Sequence, residues 1–183
     1  MLGRKVLALL AALALSVALA SCGGSSSSGV SAADYVKSIC QAVGPFEKDV
    51  QARSQAISNL GSGASAAEGK KALQDFLTAV VNDTDQAITK LKAAGTPNVN
   101  NGKQIETAIV QAFTTLKTAL QTANTSAASL PTSSPDAFKT AAQQLGSKIT
   151  SSMSNIGSSL NNLKSADLEA AAKKEAACQS IGA

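Results

Sequence analysis

Apolar residues in this chain return every three or four positions, and they do so along four long stretches. In the first, Val36, Val43, Val50 and Ile57 recur at sevens, with Ile39, Phe46 and Leu60 between them. The second carries Leu73, Phe76/Leu77, Val80/Val81, Thr84, Ala87/Ile88 and Leu91. The third runs Ile105, Ile109, Ala112/Phe113, Leu116, Leu120, Ala123, Ala127 and Leu130. The fourth runs Phe138, Ala142, Leu145, Ile149, Met153, Ile156, Leu160 and Leu163, then weakens through Leu168, Ala171 and Cys178 to Ile181. This spacing lines up one face of a helix, whereas a half-buried strand would alternate at every second residue. Aromatics are scarce, with four Phe, one Tyr and no Trp, which also disfavours a sandwich of sheets. Each stripe is narrow, flanked by Ala, Ser, Thr, Lys and Gln, and needs a partner to cover it. The expected fold is therefore all-α, an up-down-up-down four-helix bundle.

The breaks carry turn chemistry. Gly61-Ser62-Gly63 separates the first two stretches, and Gly95-Thr96-Pro97-Asn98 through Asn101-Gly102 separates the next two. Before the fourth, Ser134 is placed to cap and Pro135 to occupy the first helical position. Short connections of this kind favour antiparallel neighbours. Gly44-Pro45 is expected to kink the first helix or to split it. The first three helices are each nearly thirty residues, about 43 Å. A fourth from Asp136 to Ile181 would be about half as long again, so it must overhang or break. Gly157-Ser158-Ser159 and Lys164-Ser165-Ala166-Asp167 are the places for a break. The second is favoured, because Ser165 or Asp167 can cap a new helix.

The N-terminus obeys different rules. Arg4 and Lys5 precede an almost unbroken Ala/Leu/Val run from Val6 to Leu19, then small residues and a cysteine. That is the layout of a secretory signal peptide, too short and wrongly flanked for a stable membrane span. Leu19-Ala20-Ser21-Cys22 resembles the lipobox of bacterial lipoproteins. The resemblance implies cleavage between Ser21 and Cys22 and a diacylglyceryl group on the Cys22 thiol. Two or three acyl chains, palmitate among them, then hold the protein to the membrane, where one alone would be marginal. An ordinary secreted protein cut near Ala20, with Cys22 incidental, is the competing reading. Gly23-Gly24-Ser25-Ser26-Ser27-Ser28-Gly29 follows with the composition of a flexible linker. The organisation expected is a signal peptide over 1–21, a lipidated cysteine and tether over 22–31, and a helical domain over 32–183.

Removal of residues 1–21 takes Arg4 and Lys5 with it, so the sixteen Lys+Arg fall to fourteen against twelve Asp+Glu, a net charge of about +2. Arg53 is then the single arginine and the lysines are scattered, Lys70-Lys71 and Lys173-Lys174 being the densest pairs. That is too thin for a nucleic-acid stripe. With no histidine in the chain, an imidazole base is excluded. Asp83/Asp85 and Glu47/Asp49 are spaced i, i+2, about 200° apart on a helix, so neither pair shares one site and both read as solvated charge. No Gly-rich phosphate loop lies between a strand and a helix. These absences lead to no expected catalytic residue, no cofactor and no metal. Arg53 falls on the first apolar stripe, between Phe46 and Leu60. It reads either as a buried guanidinium awaiting an acidic ligand or partner carboxylate, or as a stem that packs while the head reaches water.

Cys40 and Cys178 remain after Cys22 is assigned to lipid. In an oxidising exterior an even pair reads as one disulfide, and two distant cysteines without histidine are too few soft ligands for a metal. In an up-down-up-down bundle the first and last helices are adjacent and antiparallel, which brings these two ends together. Two buried free thiols are the alternative.

In full-length layout the chain resembles the small secreted lipoproteins of actinobacteria: lipobox, Ser/Gly tether, Ala/Ser/Thr-rich helices and a cysteine near each end. The resemblance implies place and architecture, the extracytoplasmic face of the cell membrane, and no activity. Two classes of function follow. One is a non-enzymatic envelope protein whose helical surface binds a protein or cell-wall partner. The other is a carrier of an apolar small molecule or lipid held between helices. Ala-rich stripes let helices approach closely and leave little internal volume, which favours the first.

Overall fold

A computed structural model describes residues 29–59, 64–160, 163, 165–179 and 181. The signal segment, Ser21, Cys22, most of the tether, Leu60, the Gly61-Ser62-Gly63 break and Lys164 lie outside the described residues. What is described is all-helical. In chain order the helices are α1 (Ala32–Ser58), α2 (Ala66–Ala93), α3 (Gly102–Ala128), α4 (Pro135–Leu160) and α5 (Ala166–Lys174), followed by a 3-10 turn at Ala176–Cys178. One isolated parallel bridge joins Val30 to Pro97.

Local chemistry sets the boundaries. The Ser31 hydroxyl accepts from the Asp34 N–H at 3.1 Å and starts α1. Ser65 and Glu68 form a reciprocal capping box at α2. The Ser65 hydroxyl accepts from the Glu68 N–H (3.3 Å) and the Glu68 carboxylate from the Ser65 N–H (2.8 Å). Ser134 accepts from the Ala137 N–H (3.4 Å) ahead of Pro135, as the sequence predicts. Ser165 caps α5, accepting from the Leu168 N–H at 3.5 Å, so the last helical stretch breaks at the favoured site. At α3 no side chain caps the start. There the chain turns through Gly95 (φ 76°) and Asn101 (φ 59°), and Gly102 rests against the Pro97 carbonyl, which a Cβ would overlap.

Paired contacts give the helix directions. Lys117 reaches Asp85 and Asn124 reaches Thr78, so positions rise along α3 as they fall along α2. Val43 clusters with Leu91 while Arg53 meets Asp83, so α1 also runs against α2. Phe138, at the start of α4, packs on Gly69 near the start of α2, and Ile156 lines one surface depression with Ala112 of α3. α4 therefore runs against α3, its main partner. The largest core cluster joins Leu77 and Val80 of α2 to Leu116, Leu120, Ala123 and Ala127 of α3 and Leu145 of α4. A second, at the end bearing Val30, gathers Tyr35, Ala94 and Ile105.

Of the kink or split expected at Gly44-Pro45, the split does not occur, since α1 is continuous there. One expectation changes. The segment that lies along α1 from the C-terminal side is not the fourth helix. It is α5 and the terminal turn, with Leu168 near Tyr35, Cys178 on Cys40 and Ile181 beside Gly44. That segment runs in the same sense as α1, since Leu168, Cys178 and Ile181 meet Tyr35, Cys40 and Gly44 in turn.

Candidate interaction surface

α2 and α3 cover their stripes well, and α4 does not. Leu77, Val80, Ala87, Ile88 and Leu91 of α2 are buried, as are Ile105, Ala112, Leu116, Leu120, Ala123 and Ala127 of α3. Among the described residues of α4, Leu145 is the one fully buried. Phe138, Ala142, Ile149, Met153 and Ile156 touch the core but are only half-buried. Their position explains it: α4 leans on α3, and α1 packs on α2 and α5 rather than along α4. On α1, Val36 and Val43 are buried, Phe46 and Val50 half-buried, and Gln51 to Ala56 exposed. Phe46 finds an edge-to-face partner in Phe113, with ring centroids 5.9 Å apart. Half-covered aromatic and aliphatic side chains thus border the core on the α4 side. Side chains of this kind, flanked by Ser, Thr and Gln with Lys139 and Lys148, suit association with another surface more than a solvated helix needs.

Charges near this region hold helices to each other. Arg53 is not buried: its side chain is 45% exposed, and Nε lies 3.6 Å from Asp83 Oδ2. It occupies the part of α1 that has lost cover, so the position on the apolar stripe does not bury it. Asp83 corrects a second expectation. Its side chain is 15% exposed and Oδ2 is buried with no hydrogen-bond partner among the described residues, so it is not a solvated charge. Asp85 turns the other way and accepts from Lys117 Nζ at 2.6 Å. The i, i+2 spacing does separate the two carboxylates, one toward α1 and one toward α3.

The end bearing Val30 holds the other polar cluster. Glu106 accepts from the Thr96 hydroxyl and from Lys103 Nζ (3.0 Å). The hydroxyl bond first, and Lys103 next, hold its carboxyl below the ordinary glutamate value. Burial, with Glu106 adding to it, pushes the Tyr35 phenol up to about 12. Glu68 is likewise lowered by its bonds to Ser65. These groups cap and pin helix ends.

Two shallow depressions flank α3. One, of about 490 Å³, is lined by Lys92, Glu106, Val110 and Thr114. The other, of about 530 Å³, lies between α3 and α4 and is lined by Ala112, Thr115, Ala119, Ser152 and Ile156. Among the described residues no group of three His, Cys, Asp or Glu is arranged to hold a metal ion, and no helix is long and apolar enough to cross a membrane. Cys40 and Cys178 are brought together at bonding distance, sulfurs 2.00 Å and Cα atoms 5.1 Å apart. The Ser65-Ala66-Ala67-Glu68 capping signature and the Thr96–Glu106 bond escape a reading centred on apolar stripes. The first was visible as a Ser three residues before a Glu; the second, ten residues apart across a loop, carried no local signal.

Comparison with known proteins returns no match: no family model fits the chain, and neither a curated protein nor a solved structure matches it.

Proposed function

We propose that this chain is a lipid-anchored cell-envelope protein of the small actinobacterial lipoprotein type. In this reading it acts without catalysis, at the extracytoplasmic face of the membrane, by binding a protein or cell-wall partner. Its domain is an up-down-up-down four-helix bundle with a broken last helix. Pairwise helix directions support the bundle, and Leu19-Ala20-Ser21-Cys22 supports the anchor. The observation that carries the binding role is the stripe on α4, where Phe138, Ile149, Met153 and Ile156 are only half-buried. Close packing of Ala123 and Ala127 in the core speaks for a filled interior rather than a ligand chamber.

Cys22→Ser is expected to release the protein from the membrane fraction with its helical spectrum intact. Retention of the variant in the membrane would place the anchor elsewhere and end the localisation argument. For the binding role, a photo-crosslinking residue at Met153 in intact cells should give a discrete adduct, and the same probe at the exposed Gln121 should not. Equal labelling at both would remove the case for α4 as the contact face. A stoichiometric lipid extracted from the purified domain would instead establish the carrier.

A further inference from the structure

We propose that the bilayer faces one particular end of the domain: the end built from Val30, the Thr96–Asn101 loop and the start of α5. The inference rests on the anchoring reading above. It follows from how the chain leaves the domain. Val30 does not trail from the start of α1. Its N–H donates to the Thr96 carbonyl (2.8 Å) and its carbonyl accepts from the Asn98 N–H (2.7 Å). The strand-like stitch ties the tether into the α2–α3 connection. Gly29 is what lets the chain come so close, since a Cβ there would lie 2.9 Å from the Thr96 oxygen and 3.0 Å from the Asn98 nitrogen.

The loop that receives the stitch is itself fixed. Pro97 is fully buried, the Val99 N–H donates to the Pro97 carbonyl, and the Gly102 N–H donates to the Val99 carbonyl. The point of departure is therefore held against α2 and α3 together, not only against α1. Seven residues separate Cys22 from Val30. A chain of that length spans at most about 29 Å. Helices α1 to α3 are each about 40 Å long. The tether is shorter than the domain, so the end carrying the stitch is held near the lipid. The opposite end, with the connections before α2 and α4, projects away from it.

The side chains at the near end suit a headgroup layer. Asn100 and Asn101 are exposed, with amides suited to phosphate and glycerol oxygens, and the exposed Lys103 ammonium beside them is paired with Glu106. The Glu106 carboxylate is already engaged by Thr96 and Lys103. Asp34, the exposed acid of this end of α1, receives a hydrogen bond from the Ser31 hydroxyl, and Asp167 in the first turn of α5 is a second exposed acid there. By the same geometry the half-covered Phe138 and Phe76 sit toward the far end, clear of the bilayer.

The test uses the full chain, processed in a lipoprotein-making host and reconstituted into phosphatidylglycerol/phosphatidylcholine vesicles that carry a nitroxide-headgroup lipid. A dye is attached without reduction at Asn100→Cys or at Ser133→Cys. The dye at position 100 should lose most of its emission and the dye at 133 little. Equal quenching at both, or the reverse order, overturns the orientation. Vesicle flotation and the mass of the N-terminal peptide are read in parallel. A protein that floats with diacylglyceryl on Cys22 yet shows equal quenching sinks the orientation alone. A protein that neither floats nor carries the modification sinks the anchoring reading and this inference with it. Gly29→Val supplies the remaining arm. It should float and stay helical while quenching at position 100 falls toward that at 133. Unchanged quenching in this variant would show that the stitch does not set the facing end.

Discussion

Tyr35 is the single tyrosine of the chain, which makes its ionisation directly readable. Its folded value is raised from 10.0 to about 12 by burial and by Glu106. The neutral phenol therefore contributes stability that is fully present below pH 10 and is lost as the pH rises toward 12. Tyrosinate absorbance should titrate with a midpoint near 12, or step abruptly where alkali unfolds the domain. Glu106→Gln should bring that midpoint down. Glu106 has the opposite sign. Its carboxyl is held below its ordinary 4.5, so its contribution is present above that value and fades as acid protonates it in the fold. The acid limb of a urea-unfolding series should flatten in Glu106→Gln. Arg53 and Asp83 give a cleaner pairwise test. Arg53 is nearly half in solvent, so a double-mutant cycle with Ala at both positions should return a coupling of about 0.5–1 kcal/mol. A coupling of zero would mean the 3.6 Å approach contributes nothing. Individual residues were legible to different depths. The opposed directions of Asp83 and Asp85 follow from helix geometry, but which neighbours wait on each side depends on register across helices, which no local spacing records.

Helices were the most legible level. The stripe of α3 matches its buried residues almost position for position, because α3 is covered from two sides. α1 shows the limit. Val36, Val43, Val50 and Ile57 are equivalent in sequence, yet cover is lost part-way down the helix. Periodicity states which face wants a partner and not how far the partner extends. The same reasoning explains α4, whose stripe is as regular as that of α3 and much less covered. Pro45 lies inside a continuous α1 for a related reason: tertiary packing around Gly44 and Val43 overrides a local preference to break. At α2 the capping box makes a direct prediction. Ser65→Ala removes the side-chain acceptor for the Glu68 N–H and should cost about 1 kcal/mol in urea unfolding. Ser65→Asp should retain most of that stability, since aspartate caps equally well.

At the scale of the whole molecule, the Cys40–Cys178 link joins positions 138 residues apart. In the chain-entropy model a loop of that size is worth up to about 5 kcal/mol. Domains of this size hold roughly 5–15 kcal/mol in all, so reduction should lower the melting temperature sharply. An unchanged melt after complete reduction would mean the terminal segment is held by its apolar contacts alone. Alkylation of both thiols without prior reduction would show that no bond forms. Circular dichroism of residues 31–183 should be predominantly helical in either state below the melt. The link also closes most of the domain into a covalent ring. A protease cut anywhere between residues 40 and 178, the exposed Pro131–Ser133 connection included, opens that ring without releasing a piece. Such a nicked molecule should migrate as one band on a non-reducing gel and as two on a reducing one. A single scission, which would discard half of an open chain, leaves this one whole in mass.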